Sequence, residues 1–293
     1  YYTEKSWLVD DVRSMEWTEQ GPVRATLRIE RKFLHSTIVQ NIRFYADSRN
    51  IDFDTWIDWK QHQVLLKAEF DFDINANEAT YDIQFGNLTR PTHDNTLWDV
   101  AKFEVCAHKW ADISESGYGA AILNDCKYGY SAREGRMTLS LIKSGILPNP
   151  VTDREEHTFT YALLPHMGSW REGHVPEAAY ALNIPVRSVR AVDGSVRVSA
   201  KGEGLAGQYA AVSAGNVALE TVKKAVEGED TILRMYEYRN CRGPVTVTLA
   251  DKAAHVWECD MLENPIRELE TDGHSFTFTI KPYEVMTFRV SAK

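Results

Sequence analysis

Short stretches in which apolar and polar residues alternate constrain the fold of this chain more than any other feature. In residues 23–30, Val23, Ala25, Leu27 and Ile29 occupy every second position, and most of the positions between them are charged. Successive side chains of a β-strand point to opposite faces, so a period of two is typical of strands buried on one face. Similar stretches recur along the chain, for example "IDFDTWIDWK" and "SFTFTIKPYEVMTFRV". The alternation in "FEVCAHKWADI" likewise predicts a strand, which Trp110 closes.

Turn-forming residues interrupt these stretches every 8–12 residues or so, which is typical of β-sandwiches and barrels. Helical periodicity is nearly absent, and "PEAAYALN" fits either a short helix or a strand. We count about fifteen or more strands, against about seven to nine in a single ordinary sandwich. The sequence therefore predicts an all-β chain in which two large sheets pack face to face, with a smaller C-terminal sandwich as a possible addition. No fixed-period repeat is visible, which argues against a propeller.

A change in composition over residues 184–207 suggests a boundary between two parts. Small residues become frequent there, as in "KGEGLAGQ", and aromatic residues become rare. We predict a main sandwich over residues 1–185. Residues 186–293 either complete that sandwich or form a small subdomain.

Charge and hydropathy limit the partners of the chain. Its 293 residues carry a net charge of −9 and no long run of Lys or Arg, so we expect no nucleic-acid partner. No apolar run approaches the ~20 residues that a membrane helix needs, so we expect no membrane association. Because the sequence begins with Tyr1 rather than Met, we expect it to be part of a longer polypeptide.

The four cysteines are Cys106, Cys126, Cys241 and Cys259, and none forms a Cys-x-x-Cys pair. Cys106 and Cys126 fall in apolar stretches, where we expect buried thiols that act as small hydrophobic side chains. Unpaired thiols fit a reducing compartment, so the expected location is cytoplasmic.

Common catalytic and metal-binding motifs are absent. The sequence lacks His-Glu-x-x-His, a glycine-rich phosphate loop and a Gly-x-Ser-x-Gly elbow. His157, His166 and His174 are spaced too widely to share one face of a strand or helix, and we expect them at the surface or at strand ends. A catalytic zinc needs three protein ligands, which no local segment supplies.

Acidic residues beside tryptophans raise the possibility of a glycosidase. Asp58 lies between Trp56 and Trp59, and Asp125 follows another strand. Glycosidases place two carboxyl groups across a sugar. However, Asp52, Asp54 and Asp58 share one strand face, and we expect that face to be solvated rather than catalytic.

Two polar segments are stronger candidates for a functional rim. "RPTHDNTLWD", residues 90–99, concentrates hydrogen-bonding side chains in one connection between predicted strands. Its polar groups either bond to nearby backbone and hold the loop, or leave Arg90 and His93 facing a ligand or another domain. Asn124, Asp125 and Lys127 cluster at the end of another predicted strand, a position where binding residues are common.

The segments that contain these residues resemble a known family. "QFGNLTRPTHDNTLWDVAKFEVCAHKWADISESGYGAAILNDCKYGYS", "FTYALLPHMGSW" and "EAAYALNIP" are similar to the C-terminal part of family 38 glycoside hydrolases, which are α-mannosidases. The resemblance is greatest to the cytosolic and vacuolar branch, including its bacterial members. It extends over residues 21–185 and continues more weakly to the C-terminus.

The resemblance implies a galactose-mutarotase-like β-supersandwich in an enzyme that hydrolyses terminal α-mannosyl residues with retention. It also implies an aspartate nucleophile and a zinc site in an N-terminal catalytic domain, which this sequence does not match. We therefore assign no catalytic or metal-binding residue to this chain and expect it to be inactive alone. Its implied partners are that domain and a mannose-containing oligosaccharide. The candidates for the substrate rim or the domain interface are Arg90, His93, Asn124, Asp125 and Lys127.

Two other functions fit the same sequence. The chain could be a carbohydrate-binding or purely structural β-module, with Trp98, Trp110 and Trp170 as candidate exposed platforms. It could also be an enzyme similar to aldose epimerases, although a shared fold does not establish that activity.

A β-region that belongs to a larger enzyme should also expose an apolar patch or cover it by forming a homo-oligomer.

Overall fold

A computed structural model describes residues 5–187 and 208–292 of the chain. Those residues contain 21 strands and two short helices, α1 Leu97–Ala101 and α2 Val175–Asn183, which confirms the predicted all-β class. The backbone divides into two compact units. One comprises Tyr1–Ile83 and Leu88–Val186, and the other comprises Gln84–Asn87 and Arg187–Lys293.

The strands before α2 are β1 Asp11–Gln20, β2 Arg24–Phe33, β3 Ser36–Tyr45, β4 Ile51–Asp58, β5 Leu65–Asp71, β6 Glu78–Ile83, β7 Gly86–Pro91, β8 Val105–Cys106, β9 Trp110–Ser114, β10 Tyr118–Asn124, β11 Gly129–Arg133, β12 Arg136–Lys143 and β13 Glu156–Met167. They form a nine-stranded sheet in the order β1-β2-β3-β4-β13-β10-β9-β6-β7 and a four-stranded sheet in the order β5-β12-β11-β8. The large antiparallel sheets agree with the predicted face-to-face architecture.

The main core lies between these two sheets. Ile57, Ile122 and Tyr161 of the nine-stranded sheet share one buried cluster with Met137 and Leu139 of the four-stranded sheet. Alternation along each strand places these side chains on the inner face, as the period-two pattern predicted. The four-stranded sheet is smaller, so it covers only part of the nine-stranded one.

A second, smaller core explains the role of α2. Trp110, Leu123 and Trp170 pack together with Val175 and Ala179 of the helix. The segment "PEAAYALN" is therefore helical, which decides between the two structures that its sequence allowed. The prediction that Trp110 and Trp170 are exposed is wrong, because both indole rings lie in this core.

The strands after α2 are β14 Ala210–Val212, β15 Val217–Lys224, β16 Thr231–Glu237, β17 Gly243–Leu249, β18 His255–Cys259, β19 Pro265–Leu269, β20 Ser275–Ile280 and β21 Val285–Ser291. They form a three-stranded sheet, β14-β17-β20, and a five-stranded sheet, β15-β16-β21-β18-β19. Phe276 and Phe278 of the first sheet pack against Phe288 of the second, with ring centroids 5.1 and 4.5 Å apart. The predicted C-terminal β-sandwich is thus confirmed.

Most of the segment with the predicted change in composition, from residue 188 to residue 207, lies outside the described residues. The division into 1–185 and 186–293 therefore stays a prediction. Within the described ranges, no helix is long and apolar enough to cross a membrane.

The structure corrects the predicted strand that was to run through "FEVCAHKWADI". Helix α1 ends at Ala101, β8 contains only two residues, and Trp110 begins β9 instead of ending a strand. A capping box between Thr96 and Asp99 starts α1 just before this stretch.

The same error affects the cysteines. Cys106 and Cys126 are exposed rather than buried, and Cys259 is the only buried thiol among the four, all of which are free. Cys106 is the second residue of the two-residue strand β8. Cys126 lies in the connection between β10 and β11.

Candidate functional site

The connection over residues 90–99 is held by its own polar side chains. The hydroxyl of Thr92 donates to the carbonyl of Ala76 at 2.6 Å, and the Thr92 amide donates to Asn77 at 3.0 Å. Thr96 is the N-cap of α1, where its hydroxyl bonds to the Asp99 carboxylate at 2.7 Å and accepts from the Asp99 amide at 3.2 Å. The bond from Thr96 also lowers the pKa of Asp99. These contacts belong to the loop-bracing alternative.

Arg133 fixes this connection from the adjacent strand. It ends β11 at a two-residue turn, in which Glu134 and Gly135 have positive φ angles of 48° and 78°. From there its guanidinium donates to the carbonyls of Pro91 at 3.1 Å and Asp99 at 3.0 Å. A further bond reaches the Lys102 carbonyl at 3.1 Å, and Nε pairs with Asp94 at 2.9 Å. One side chain thus holds both ends of the loop.

Arg90 lies inside the same region rather than pointing away from it. Its guanidinium carbon is 4.6 Å from the centre of the Tyr81 ring, and Nη2 donates to the Cys106 carbonyl at 3.0 Å. Nη1 is buried and has no hydrogen-bond partner among the described residues. Burial lowers the pKa of Arg90 because it disfavours the charged form. Its neighbours therefore stabilise the guanidinium mainly through the Tyr81 ring and one carbonyl.

A narrow crevice of about 10 Å³, room for about one water molecule, adjoins Arg90. Its lining includes Tyr81, Asp99, Lys102 and Arg133, so cationic side chains outnumber the one carboxylate. His93, in contrast, is exposed, and its Nδ1 lies 3.9 Å from the Asp99 carboxylate. Of the two residues proposed to face outward, only His93 does so.

Asn124 is a buried bracing residue at the end of β10. Its side-chain amide donates to the His108 carbonyl at 2.9 Å and to the Tyr130 hydroxyl, while its Oδ1 accepts from the Lys127 amide. Burial raises the pKa of Tyr130. Both amide protons of Asn124 are therefore used within the protein, and we see no group on this side chain left for a sugar hydroxyl.

Asp125 and Lys127 flank the same turn. The Asp125 carboxylate accepts from the Thr160 amide at 2.9 Å, and Lys127 Nζ lies 4.2 Å from the centre of the Phe159 ring. The structure therefore brings Asn124 and Lys127 together, whereas Asp125 bonds to the neighbouring strand β13. No contact joins these three residues to Arg90 or His93. One link between the two groups runs through Tyr81 and Tyr130, whose ring centroids are 6.5 Å apart with the rings edge to face.

The row of aspartates on β4 is a set of paired charges. The Asp52 carboxylate accepts from the Tyr45 hydroxyl at 2.7 Å and is buried, and burial raises its pKa. Asp54 pairs with Arg43 at 2.6 Å. The prediction of a solvated face is thus wrong for Asp52. Among the described strands, we see no pair of carboxylates that face each other across a pocket.

A buried pair that the sequence did not reveal joins β9 to β13. His166 Nε2 lies 2.6 Å from the Asp112 carboxylate, both side chains are almost fully buried, and Ser114 donates to Asp112 at 2.5 Å. Burial raises the pKa of Asp112. His166 lies at a strand end, one of the two expected positions, since it is the penultimate residue of β13, but it is buried rather than at the surface and reaches Asp112 across β10 over Gly119. A side chain at Gly119 would collide with the His166 ring.

This pair does not form a nucleophilic triad. In such a triad the histidine bonds to the serine, whereas here Asp112 lies between Ser114 and His166. Its burial also excludes a substrate. The pair ties β9 to β13 across the intervening strand β10.

Exposed aromatic and aliphatic side chains surround α1. Trp98 is 79% exposed, and Leu97, Val100 and Phe103 are also exposed. Of the three tryptophans proposed as platforms, Trp98 alone is therefore accessible. It lies on the helix that follows the braced loop and His93.

Comparisons with known proteins match both parts of the chain. Residues 1–151 match the family described as "Glycosyl hydrolases family 38 C-terminal domain", and residues 216–288 match "Glycosyl hydrolases family 38 C-terminal beta sandwich domain". Human "Alpha-mannosidase 2C1" is 38% identical over 86% of this chain and 24% of its own length. "Alpha-mannosidase G" of Dictyostelium discoideum is 35% identical over 92% of this chain and 25% of its own length. The chain thus spans about a quarter of these relatives.

A solved structure supports the fold. The crystal structure of an alpha-mannosidase from Enterococcus faecalis V583 superposes with a TM-score of 0.76 over 96% of this chain and 35% of that protein. Sequence identity there is 16%, so the likeness concerns the arrangement of the backbone.

Proposed function

Because this chain belongs to glycosyl hydrolase family 38, whose C-terminal domains it contains, we propose that it is the C-terminal β-region of a retaining α-mannosidase. The enzyme would hydrolyse terminal α-mannosyl residues of a mannose-containing oligosaccharide. In this proposal the chain supports the enzyme's own N-terminal catalytic domain and contributes to the rim of its cleft. The chain alone is inactive.

The use of the buried carboxylates supports inactivity of the isolated chain. Retaining hydrolysis requires two accessible carboxyl groups about 5 Å apart. Asp112 is engaged by His166 and Ser114. Glu237 is fully buried, and it accepts from the side chain of Asn216 at 3.0 Å and from the Tyr283 amide at 3.0 Å. Neither carboxylate is free to attack a sugar.

The zinc ion implied by the family resemblance does not fit this part of the enzyme. Over residues 5–187 and 208–292, no three His, Cys, Asp or Glu side chains are grouped so that they could hold a metal. Our proposal therefore assigns no zinc-dependent step to these residues.

The braced loop carries the proposal for the rim. Arg133 and the Thr96–Asp99 capping box hold residues 90–99 in one conformation, yet His93 and Trp98 remain exposed. A rigid loop that presents an imidazole and an indole is suited to sugar hydroxyls and sugar ring faces, or to a neighbouring domain. Arg90 contributes by supporting this loop from inside.

Substitution in the complete enzyme tests the role of the rim. We expect His93→Ala to lower kcat/KM for an oligomannoside roughly tenfold, since it removes one hydrogen-bonding group from the rim, without changing the melting temperature. Arg90→Ala should also lower stability, because Arg90 stacks on Tyr81 and bonds to Cys106. His274, exposed in the C-terminal sandwich, is the matched control for His93. Equal kcat/KM for His93→Ala, His274→Ala and wild type would refute the role of His93.

One observation favours the alternative of a carbohydrate-binding module. Trp98 is exposed on a short helix beside His93, as a sugar-stacking platform would be. Titration of the isolated chain with mannose and mannobiose, followed by tryptophan fluorescence, tests it. A change that Trp98→Ala abolishes supports binding by the chain itself, and no change leaves Trp98 to the domain interface.

The thiols support a cytoplasmic location for the enzyme. All four cysteines lie in the described ranges and are free, which is usual for proteins of reducing compartments. Fractionation of the source cells, followed by detection of the enzyme, tests this proposal. Recovery in an oxidising compartment would contradict it.

A further inference from the structure

The inner face of the nine-stranded sheet continues beyond the area that the four-stranded sheet covers. The register places Trp17 of β1 opposite Leu27 of β2, Leu27 opposite Ile42 of β3, and Ile42 opposite Phe53 of β4. At Phe53 this apolar row lies under the four-stranded sheet, because the Phe53 ring packs against Phe70 of β5, with ring centroids 5.8 Å apart. From β4 to β1 no further strand of that second sheet follows among the described residues.

The uncovered end of the row is apolar and accessible. Met15, Trp17 and Phe44 are 58%, 52% and 36% exposed. The ring centroids of Trp17 and Phe44 are 6.1 Å apart, so the two side chains form one surface. We call this surface, with Leu27 and Ile42, the β1–β3 inner face.

The opposite face of the same strands is ionic. Arg24 pairs with Glu19 at 2.7 Å, and Arg43 pairs with Asp54 at 2.6 Å. The inner face also contains Arg31 and Gln40, which bond to each other at 2.8 Å, but its end at Met15, Trp17 and Phe44 is apolar. An exposed apolar surface on a sheet whose other face is charged is usually covered.

The second sheet also ends in an open edge. Strand β5 pairs with β12 along one side, and its other side has no ladder partner in the part of the chain that the structure describes. Alternate amide and carbonyl groups of an antiparallel edge strand point away from the sheet and can pair with an added strand. The packing of Phe70 on Phe53 places this open edge above β4, next to the β1–β3 inner face.

We propose that the rest of the α-mannosidase polypeptide adds β-strands to the open edge of β5 and packs their apolar side chains on the β1–β3 inner face. This inference rests on the proposed function, because the remaining three quarters of the enzyme would supply those strands. Neighbouring strands are about 4.8 Å apart, so about two or three added strands would cover β1 to β3. The fitting partner segment is extended, with apolar residues at every second position.

A second copy of this chain fits the surface less well. Two copies that packed their β1–β3 inner faces together would leave the edge of β5 unpaired in both. Edge-to-edge pairing through β1 is hindered by irregularities of register at Val12/Ser14 and Trp17/Glu19. Added strands pair the open edge and cover the apolar face together.

Hydrogen exchange tests the proposal without any substitution. Amides of β5 should exchange roughly tenfold more slowly in the complete enzyme than in the isolated chain, because half of them gain strand partners. Amides of β15, also an edge strand, are the internal control and should exchange equally in both. Unchanged exchange of β5 in an enzyme that hydrolyses an α-mannoside overturns this inference alone. An enzyme without α-mannosidase activity overturns the proposed function instead.

Substitution of the exposed indole gives a second test. Trp17→Lys should lower the melting temperature of the complete enzyme and leave that of the isolated chain nearly unchanged. Val222→Lys, at a half-exposed apolar position of β15, should have the same small effect in both. One pair of results would overturn the proposal in favour of a second copy of the chain. The isolated chain would form a dimer that Trp17→Lys abolishes, and the β5 amides of the complete enzyme would show no protection from hydrogen exchange.

Discussion

Replacing Arg133 with alanine should loosen the connection over residues 90–99, because its guanidinium bonds to both ends of that loop. The guanidinium donates to the carbonyls of Pro91, Asp99 and Lys102 and pairs with Asp94.

The size of the effect follows from these contacts. A hydrogen bond to a charged group contributes about 1.5–3 kcal/mol, but carbonyls released at the surface regain water. The pair with Asp94 adds little, because the Asp94 side chain is 51% exposed. We therefore expect Arg133→Ala to lower the free energy of unfolding by about 2–4 kcal/mol. In a unit of this size the melting temperature should fall by about 5–15 °C.

Urea unfolding followed by tryptophan fluorescence measures this effect, and calorimetry measures the melting temperature. The signal reports mainly on the first unit, since Trp257 is the only tryptophan after residue 186. Arg136→Ala, on the same hairpin, is the matched control. Arg136 is 53% exposed and pairs with the exposed Asp71, so its loss should cost about 0–1 kcal/mol.

Arg133→Lys keeps the charge but not the forked donor, so it should recover only a small part of the loss. Equal stabilities of Arg133→Ala and Arg136→Ala would refute the assignment of Arg133 as the main brace. So would full recovery by lysine, since the brace depends on several donors in fixed directions.

Three further perturbations test other parts of the structure. Gly119→Ala should destabilise the chain by about 3 kcal/mol or more in urea unfolding, because the added methyl group would displace the His166 ring from its buried bond to Asp112. Gly117→Ala is the control and should change stability little, since the space around Gly117 is open. Equal losses of stability would contradict the close packing of His166 over Gly119. Thr96→Ala should cost about 0.5–2 kcal/mol at pH 7. The bond to Thr96 lowers the pKa of folded Asp99 below 3.8, so the ionised carboxylate adds stability above pH 3.8 and loses that contribution as the pH falls through the lowered pKa. The difference in unfolding free energy between wild type and Thr96→Ala should therefore become smaller in acid. Cys126 is exposed, yet desolvation of its thiol by neighbouring groups, together with the bond to Asp125, raises its pKa to about 11. It should therefore react with iodoacetamide at pH 8 far more slowly in the folded than in the unfolded chain, and equal rates would contradict that environment.

The sequence was sufficient for the class of fold because alternation is a local property. Strands such as β2 and β4 bury one face on a sheet, and their period of two records that directly. The β-sandwich at the C-terminus could be predicted for the same reason. Helix α2 could not be separated from a strand, since eight residues of mixed composition fit both.

Helix α1 was missed although its signal is present. Thr96 and Asp99 have the spacing of a capping box, and that motif predicts a helix start. Reading residues 103–113 as one strand carried the error forward to Cys106 and Trp110. Once the strand is broken into β8 and β9, the alternation no longer determines which of these side chains are buried.

The contacts of the candidate site were beyond sequence reasoning for another reason. Arg133 lies 34 residues from Asp99 in the chain, and His166 lies 54 residues from Asp112. Such pairs depend on register and sheet order, which no local pattern records. The polar character of residues 90–99 was visible, but its division into an inward Arg90 and an exposed His93 required the structure.

Turnover of an aryl α-mannoside tests the central claim most directly. The purified chain of residues 1–293 and the complete polypeptide that contains it would be assayed side by side, each with and without added zinc. Our account predicts hydrolysis by the complete polypeptide and none above the blank by the purified chain. Hydrolysis by the purified chain, or none by the complete polypeptide, would contradict it.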